Sequence, residues 1–228
     1  MFLLMIFRNL RIITSSLELI EKSQNDNMDE KALKFFNFAI EEATWMRKLI
    51  NSLLEIYKIT NDKVLFASID MNEVMEKALI RLEKNISETK AQISHSPLPN
   101  VRGNESLIIT LFHNIISNGI KLSFDIKYHK SNKPVIDISF KEDKENIEFC
   151  ISDNGIGIDE KDFDRIFIVC KRLHSRTEYP GLGVGLTVCK NIVNVHEGKI
   201  RIESEIDKGS KFFITLNKVT ANSLRKTC

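Results

Sequence analysis

The stretch Asp153-Asn154-Gly155-Ile156-Gly157-Ile158 directly follows an expected strand. Two glycines two apart let the backbone turn sharply and approach a flat ligand closely. A carboxylate at the strand end can accept a hydrogen bond from an exocyclic amine, such as that of adenine. A plain Asx-turn would use the same residues. A second cluster, Gly181-Leu182-Gly183-Val184-Gly185-Leu186, leads into an expected helix. Glycines at a helix N-terminus leave backbone N–H groups open where the dipole favours anions, so phosphates are natural ligands; a flexible loop is the alternative. No Gly-Lys-Ser/Thr follows, which rules out a Walker loop, and the G-x-G-x-G spacing after Pro180 does not fit a dinucleotide fingerprint. In a third stretch, Asn114, Asn118 and Lys121 are spaced four and three apart and share one helical face. An Asn can offer a neutral oxygen to a hard cation, and a Lys can meet phosphate as a point charge. A solvated polar stripe has the same spacing.

Composition narrows the partners. The chain has 228 residues, 33 Lys+Arg against 31 Asp+Glu, and a net charge near +2. That balance gives no electrostatic reason to expect nucleic acid or an anionic membrane. The four cysteines (Cys150, Cys170, Cys189 and Cys228) form no C-x-x-C pair and have no His at metal-ligand spacing. They read as reduced thiols of a cytoplasmic protein. The apolar start Met1-Phe2-Leu3-Leu4-Met5-Ile6-Phe7 is too short to span a membrane and lacks the features of a signal peptide, so it reads as the first turns of a buried helix.

Positioning the three stretches takes a mixed architecture. Leu10, Ile13, Leu17 and Ile20 recur at helical spacing, and Asn27 with Glu30 reads as a capping box opening a second helix. In that helix Phe36, Ala39, Ala43, Met46, Ile50, Leu53 and Tyr57 form a heptad seam. Two helices with one stripe each suggest a second copy completing a four-helix bundle, a homodimer. Beyond a polar link at 60–63 the pattern changes. Strands are expected over 64–69 and 91–95, and helices over 72–90, 104–122 and 184–196. Further strands are expected over 135–140 and 147–152, and a closing hairpin over 199–204 and 211–216, with Asp207-Lys208-Gly209 as its turn. Strands and helices grouped this way give an α+β sandwich.

The ordered set from Leu111 to Lys121, Asp153 to Ile158, Arg165-Ile166-Phe167 and Gly181 to Leu186 resembles the N, G1, F and G2 boxes of sensor histidine kinases, in order and separation. The resemblance covers nearly the whole chain. The run from Arg172 to Gly181 is similar to the kinase module of bacterial phytochromes. This implies a two-helix dimerisation hairpin over 1–60, an ATP-binding sandwich of the gyrase, heat-shock-90 and histidine kinase type over 64–218, and a polar tail over 219–228. It also implies a two-component protein histidine kinase that binds ATP and Mg²⁺ and has a response regulator receiver domain as its partner. By resemblance, Asp153 binds the adenine amine. Asn118 is the Mg²⁺ ligand with Asn114 in support, and Lys121 reaches the phosphates. Gly155, Gly157 and Ile158 shape the adenine side. Gly181, Gly183, Gly185 and Leu186 form the hinge and phosphate side of a lid over 159–180, which Phe167 anchors. Arg172 or Arg176 approaches the γ-phosphate.

The acceptor departs from the pattern. The family phosphorylates a His on the first hairpin helix, beside an acidic residue, and the alignment puts Leu4 and Met5 there. The resemblance thus leads us to expect a truncated or diverged gene whose sensor portion is missing. Self-phosphorylation is then doubtful, and the alternative is a degenerate nucleotide-binding module that dimerises with or regulates another kinase or a response regulator. No His occurs before His95. His95, His113, His129, His174 and His196 all read as structural or solvated.

Overall fold

The chain is described by a computed structural model over residues 13–15, 17, 30–61, 64–124, 133–173 and 182–219. It divides into two compact units, Met1–Lys58 and Ile59–Cys228. In the first unit, residues 13–15 and 17 of the first expected helix are helical, and helix α1 (Glu30–Asn61) runs for 32 residues. Along its heptad seam Ala43 and Ile50 are buried, while Met46 and Tyr57 stay 40% and 60% exposed. The Asn27 half of the expected capping box, and Leu4 and Met5, lie outside the described residues.

The second unit holds β1 (Ala67–Asp70), α2 (Met71–Thr89), β2 (Gln92–His95), β3 (Asn100–Gly103) and α3 (Glu105–Ser123). After these come β4 (Val135–Glu142), β5 (Asn146–Asp153), α4 (Gly185–Val195), β6 (Lys199–Glu205) and β7 (Gly209–Asn217). The main sheet has the order β2-β4-β5-β7-β6. Its pairs are antiparallel except β2 with β4, which run parallel. β1 and β3 form a separate antiparallel pair.

Strand alternation decides which face the helices cover. On β5, Ile147, Phe149, Ile151 and Asp153 are buried, while the residues between them are less so. Ile136 and Ile138 of β4 and Phe212, Ile214 and Leu216 of β7 complete the apolar surface. α3 packs on β4, β5 and β7, α4 packs on β6, β7 and α3, and α2 packs on α3. Phe112 of α3 meets Phe149 edge-on at 5.5 Å and 88°, the arrangement that aromatic quadrupoles favour. The expected α+β sandwich is present.

Side-chain caps set the helix starts. Asp70 Oδ1 accepts the Asn72 N–H at 2.8 Å at the head of α2. Asn104 Oδ1 accepts the Leu107 N–H at 3.1 Å at the head of α3. One strand expectation shifts, and one strand is unexpected. The first strand lies at Ala67–Asp70 rather than 64–69, and β3, which partners it, carries no alternating signal in its four residues.

His196, at the C-terminal cap of α4, locks three segments together. Its Nδ1 lies 2.7 Å from the Ile192 carbonyl, and its Nε2 accepts the Asn104 N–H at 3.0 Å, which assigns the proton to Nδ1. The ring stacks on Phe66 at 4.9 Å, and Asn104 Nδ2 donates to the Leu65 carbonyl at 3.2 Å. Both ring nitrogens are therefore used by the neutral form. Burial, against a smaller opposing effect of the Ile192 hydrogen bond, lowers the imidazole pKa below 6.5. A group depressed in this way contributes stability above its unfolded-state pKa, near 6.5, and that stability is lost as pH falls below it. The prediction is that the stability difference between wild type and His196→Gln, read by thermal melting, is largest above pH 7 and shrinks steadily towards pH 5.

Candidate functional site

A cavity of about 300 Å³ opens beside α3. Asn114, Ser117, Asn118 and Lys121 border it from that helix, Gly157 and Ile158 from the loop after β5, and Gly183, Gly185 and Leu186 from the start of α4. Three stretches separated by up to 72 positions in the sequence thus meet around one space. Arg172 also borders it, and Phe212 closes it from β7.

Asp153 ends β5, 9% exposed, and lies behind the lining rather than in it: its neighbours Ile156 and Gly157 border the cavity, whereas the carboxylate itself does not. Its Oδ1 accepts the Gly155 N–H at 2.9 Å and the Ser210 N–H at 3.3 Å. Its other face lies against α3 at Gly119, where an added Cβ would come within 3.2 Å of Asp153 Cβ and 3.7 Å of Oδ2. Gly119 therefore lets the helix approach the carboxylate. Burial raises the Asp153 pKa from 3.8 to about 6, against the pull of its two backbone donors. The buried acceptor is held under-satisfied, which suits capture of an N–H donor.

The loop after β5 is fixed by its own backbone. Ile156 donates to the Leu122 carbonyl at 3.2 Å and accepts from Asp207 at 2.8 Å. The Ile158 N–H donates to Ser204 Oγ at 2.8 Å, and Ser204 and Ser210 share a hydroxyl contact at 3.0 Å. Gly157 sits at φ +74, and a Cβ there would overlap the Glu205 carbonyl. Only glycine fits this close crossing.

On the opposite side, α4 begins at Gly185, where an added Cβ would lie 3.8 Å from Asn114 Cγ. The open N–H groups of that helix start face the amides of α3 across the cavity. Lys121 is exposed at the rim of the cavity, and desolvation lowers its pKa below 10.5. Phe167 anchors α4 from outside the cavity. Its carbonyl accepts the Thr187 hydroxyl at 2.9 Å, the Lys190 ammonium stands 5.4 Å from its ring centre, and Ile166 is the residue that reaches the lining. Gly155 acts behind the cavity wall, against Asp153 and Leu122. Gly181, Arg176 and the expected lid residues 174–180 lie outside the described residues.

Several lining residues escaped the sequence. His113 reads there as structural or solvated, yet it borders the cavity. Phe212 comes from the closing hairpin, where the β5–β7 pairing sets it opposite Ile151; the same pairing sets Ser210 opposite Asp153, and Ser204, outside the lining, supports Ile158. Among the described residues no cluster of three acidic, His or Cys side chains can hold a metal. The amide oxygens of Asn118 and Asn114 are too few for a resident Mg²⁺, but they fit a cation that arrives with phosphate oxygens already bound to it.

Residues 103–220 match the family described as histidine kinase-, DNA gyrase B- and HSP90-like ATPases. The chain belongs to this ATPase family. Cyanobacterial phytochrome A of Nostoc sp. strain PCC 7120 is 35% identical over 204 residues, which is 90% of this chain and 26% of that protein. The phytochrome-like protein Cph1 of Synechocystis sp. strain PCC 6803 is 34% identical over the same share of each. The chain thus spans about a quarter of the phytochromes it matches. Among solved structures, full-length ShkA in complex with AMPPNP superposes with a TM-score of 0.69 at 16% identity, covering 96% of this chain and 46% of that one. The Acinetobacter baumannii histidine kinase AdeS superposes at 0.63 with 20% identity, covering 93% and 97%. These two solved structures share the fold of this chain.

Two outcomes test this geometry. A carboxyl whose folded-state pKa is raised contributes stability below its unfolded value of 3.8, and that contribution is lost as pH rises through about 6. Apo Asp153→Asn is therefore expected to be more stable than wild type at pH 8 by about 1–3 kcal/mol, with the gap closing towards pH 4 in urea titrations. Gly157→Ala is expected to cost about 2–4 kcal/mol through strain and overlap, read as a lowered Tm.

Proposed function

We propose that this chain is an ATP-dependent protein histidine kinase of a two-component system, binding Mg-ATP and passing the γ-phosphoryl group to a histidine. The observation that carries this reading is the polar face of the cavity: Asn114, Asn118 and Lys121 of α3 line it together with the glycines at the start of α4, and the buried Asp153 acceptor stands behind its wall against Gly119. In this reading Asp153 takes the adenine amine, with Gly155, Gly157 and Ile158 shaping its surroundings. Asn118, supported by Asn114, gives its oxygen to the cation. Lys121, Arg172 and the N–H groups at Gly183, Gly185 and Leu186 hold the phosphates, and Gly181, Phe167 and Arg176 belong to the lid and its anchor. Bound there, Mg²⁺ neutralises phosphate charge, which is most of what phosphoryl transfer asks of a protein. The phytochrome relatives and the AMPPNP-bound neighbour support the assignment of ATP.

The same reading divides the chain into a dimerising hairpin over 1–60, the ATP domain over 64–218 and a tail over 219–228. Exposed Phe35, Phe38, Met46 and Tyr57 on α1 support a homodimer. A response regulator receiver domain is the downstream partner. Among the described residues no helix is long and apolar enough to cross a membrane, and the cytoplasm is the proposed location. Leu4 and Met5 at the aligned acceptor positions favour a second reading: a degenerate module that binds nucleotide and acts on another kinase or a response regulator.

Calorimetric titration with Mg-ATP is expected to show at least about tenfold weaker binding for Asn118→Ala and Asp153→Ala. Unchanged affinity in both would reject the site. With γ-labelled ATP, acid-labile and base-stable label on the purified chain supports self-phosphorylation, whereas label only on an added partner supports action in trans.

A further inference from the structure

The cavity has a direction, and α3 measures it. Gly119 backs onto Asp153, and the Leu122 carbonyl accepts from Ile156, so α3 passes the carboxylate at these positions. Asn114 lies beside Gly185 at the start of α4. At a rise of 1.5 Å per residue, Asn114 is about 7.5 Å along the axis from Gly119, and His113 about 9 Å. Of the α3 residues that line the cavity, His113 is therefore the furthest along the helix axis from Gly119, where Asp153 packs.

His113, Ser117 and Lys121 are four residues apart and form one stripe along the lining. Helical side chains lean towards the N-terminus, which brings Lys121 back towards His113. Arg81 of α2 is also close enough to act on His113 electrostatically. This end of the cavity is rich in donors and cations, and the apolar contacts of α3 are made by other residues, Phe112 and Ile116 among them.

We infer that His113 is a binding residue for the terminal phosphoryl group of a nucleoside triphosphate, donating an imidazole N–H to a γ-phosphate oxygen and so setting a preference for triphosphate over diphosphate. The inference rests on the proposed ATP site: an adenine amine held at Asp153 and phosphates passing Asn118 and Asn114 put the last phosphate beyond Asn114, where His113 stands. No other imidazole borders this cavity among the described residues.

The test is calorimetric titration of the full chain with Mg-ATP and with Mg-ADP. His113→Ala is expected to weaken ATP by about tenfold, the scale of one hydrogen bond to a charged group, and ADP by less than about twofold, so that the ratio of the two affinities collapses. His113→Gln, which keeps a donor of similar reach, is expected to recover part of the ratio. Equal weakening of both nucleotides, or of neither, overturns the inference. In the unmutated chain, the His113 imidazole resonances are expected to shift with Mg-AMPPNP and to move far less with Mg-ADP; equal shifts also overturn it. Asp153→Ala separates the two levels. If that variant binds both nucleotides as wild type does, the site reading itself fails, whatever His113 shows.

Discussion

The Asp153 carboxylate accepts N–H groups from Gly155 and Ser210 while almost no water reaches it. Two backbone donors do not offset the lost hydration, which is why its pKa sits near 6. The rest of the site follows from keeping that group in place. β7 must pair with β5 in the register that sets Ser210 opposite Asp153. α3 must carry a glycine where it crosses the carboxylate, and the following loop must turn back under the β6–β7 connection. A ligand that brings one N–H donor relieves a cost the apo domain already carries. This is the usual relation between a binding site and the stability of its scaffold.

The polar face of α3 works by a different principle. Asn114, Asn118 and Lys121 are neutral or cationic donors on a rigid helix, opposite the unpaired N–H groups at the start of α4. They suit a ligand that carries its own anionic charge and its own cation. A single helix, α3, carries these donors and passes Asp153 at Gly119, so one rigid element sets their spacing.

Much of this was legible in the sequence. α2, α3 and α4 lie within a residue or two of expectation, because their apolar spacing is regular and Asp70 and Asn104 cap two of them. β4 and β5 alternate cleanly and were equally readable. The chemistry-bearing stretches were legible as types: Asp153 with its glycines, Asn114 and Asn118, and the Gly183–Gly185 turn. Long-range pairing was not. Nothing local in Gln92-Ile93-Ser94-His95 says that it lies parallel to β4, and nothing in Ser204 or Ser210 says that they support Ile158 and Asp153. The same holds for His113. Whether it faces solvent or the cavity depends on how α3 is rotated against a sheet that only tertiary packing defines.

The parallel β2–β4 pair has a consequence for how the domain assembles. The Ser94 hydroxyl meets the Asp137 carboxylate at 2.9 Å across 43 positions of sequence, and α3 lies inside the segment that this pairing closes. A crossover of that length returns no pairing energy until its loop entropy has been met, unlike the tight β6–β7 turn. The hairpin bearing Phe212 and Ser210 can form early and locally, whereas the helix bearing the amide face docks only when the distant strands close. The cavity therefore depends on a pairing of high sequence separation as well as on a local hairpin.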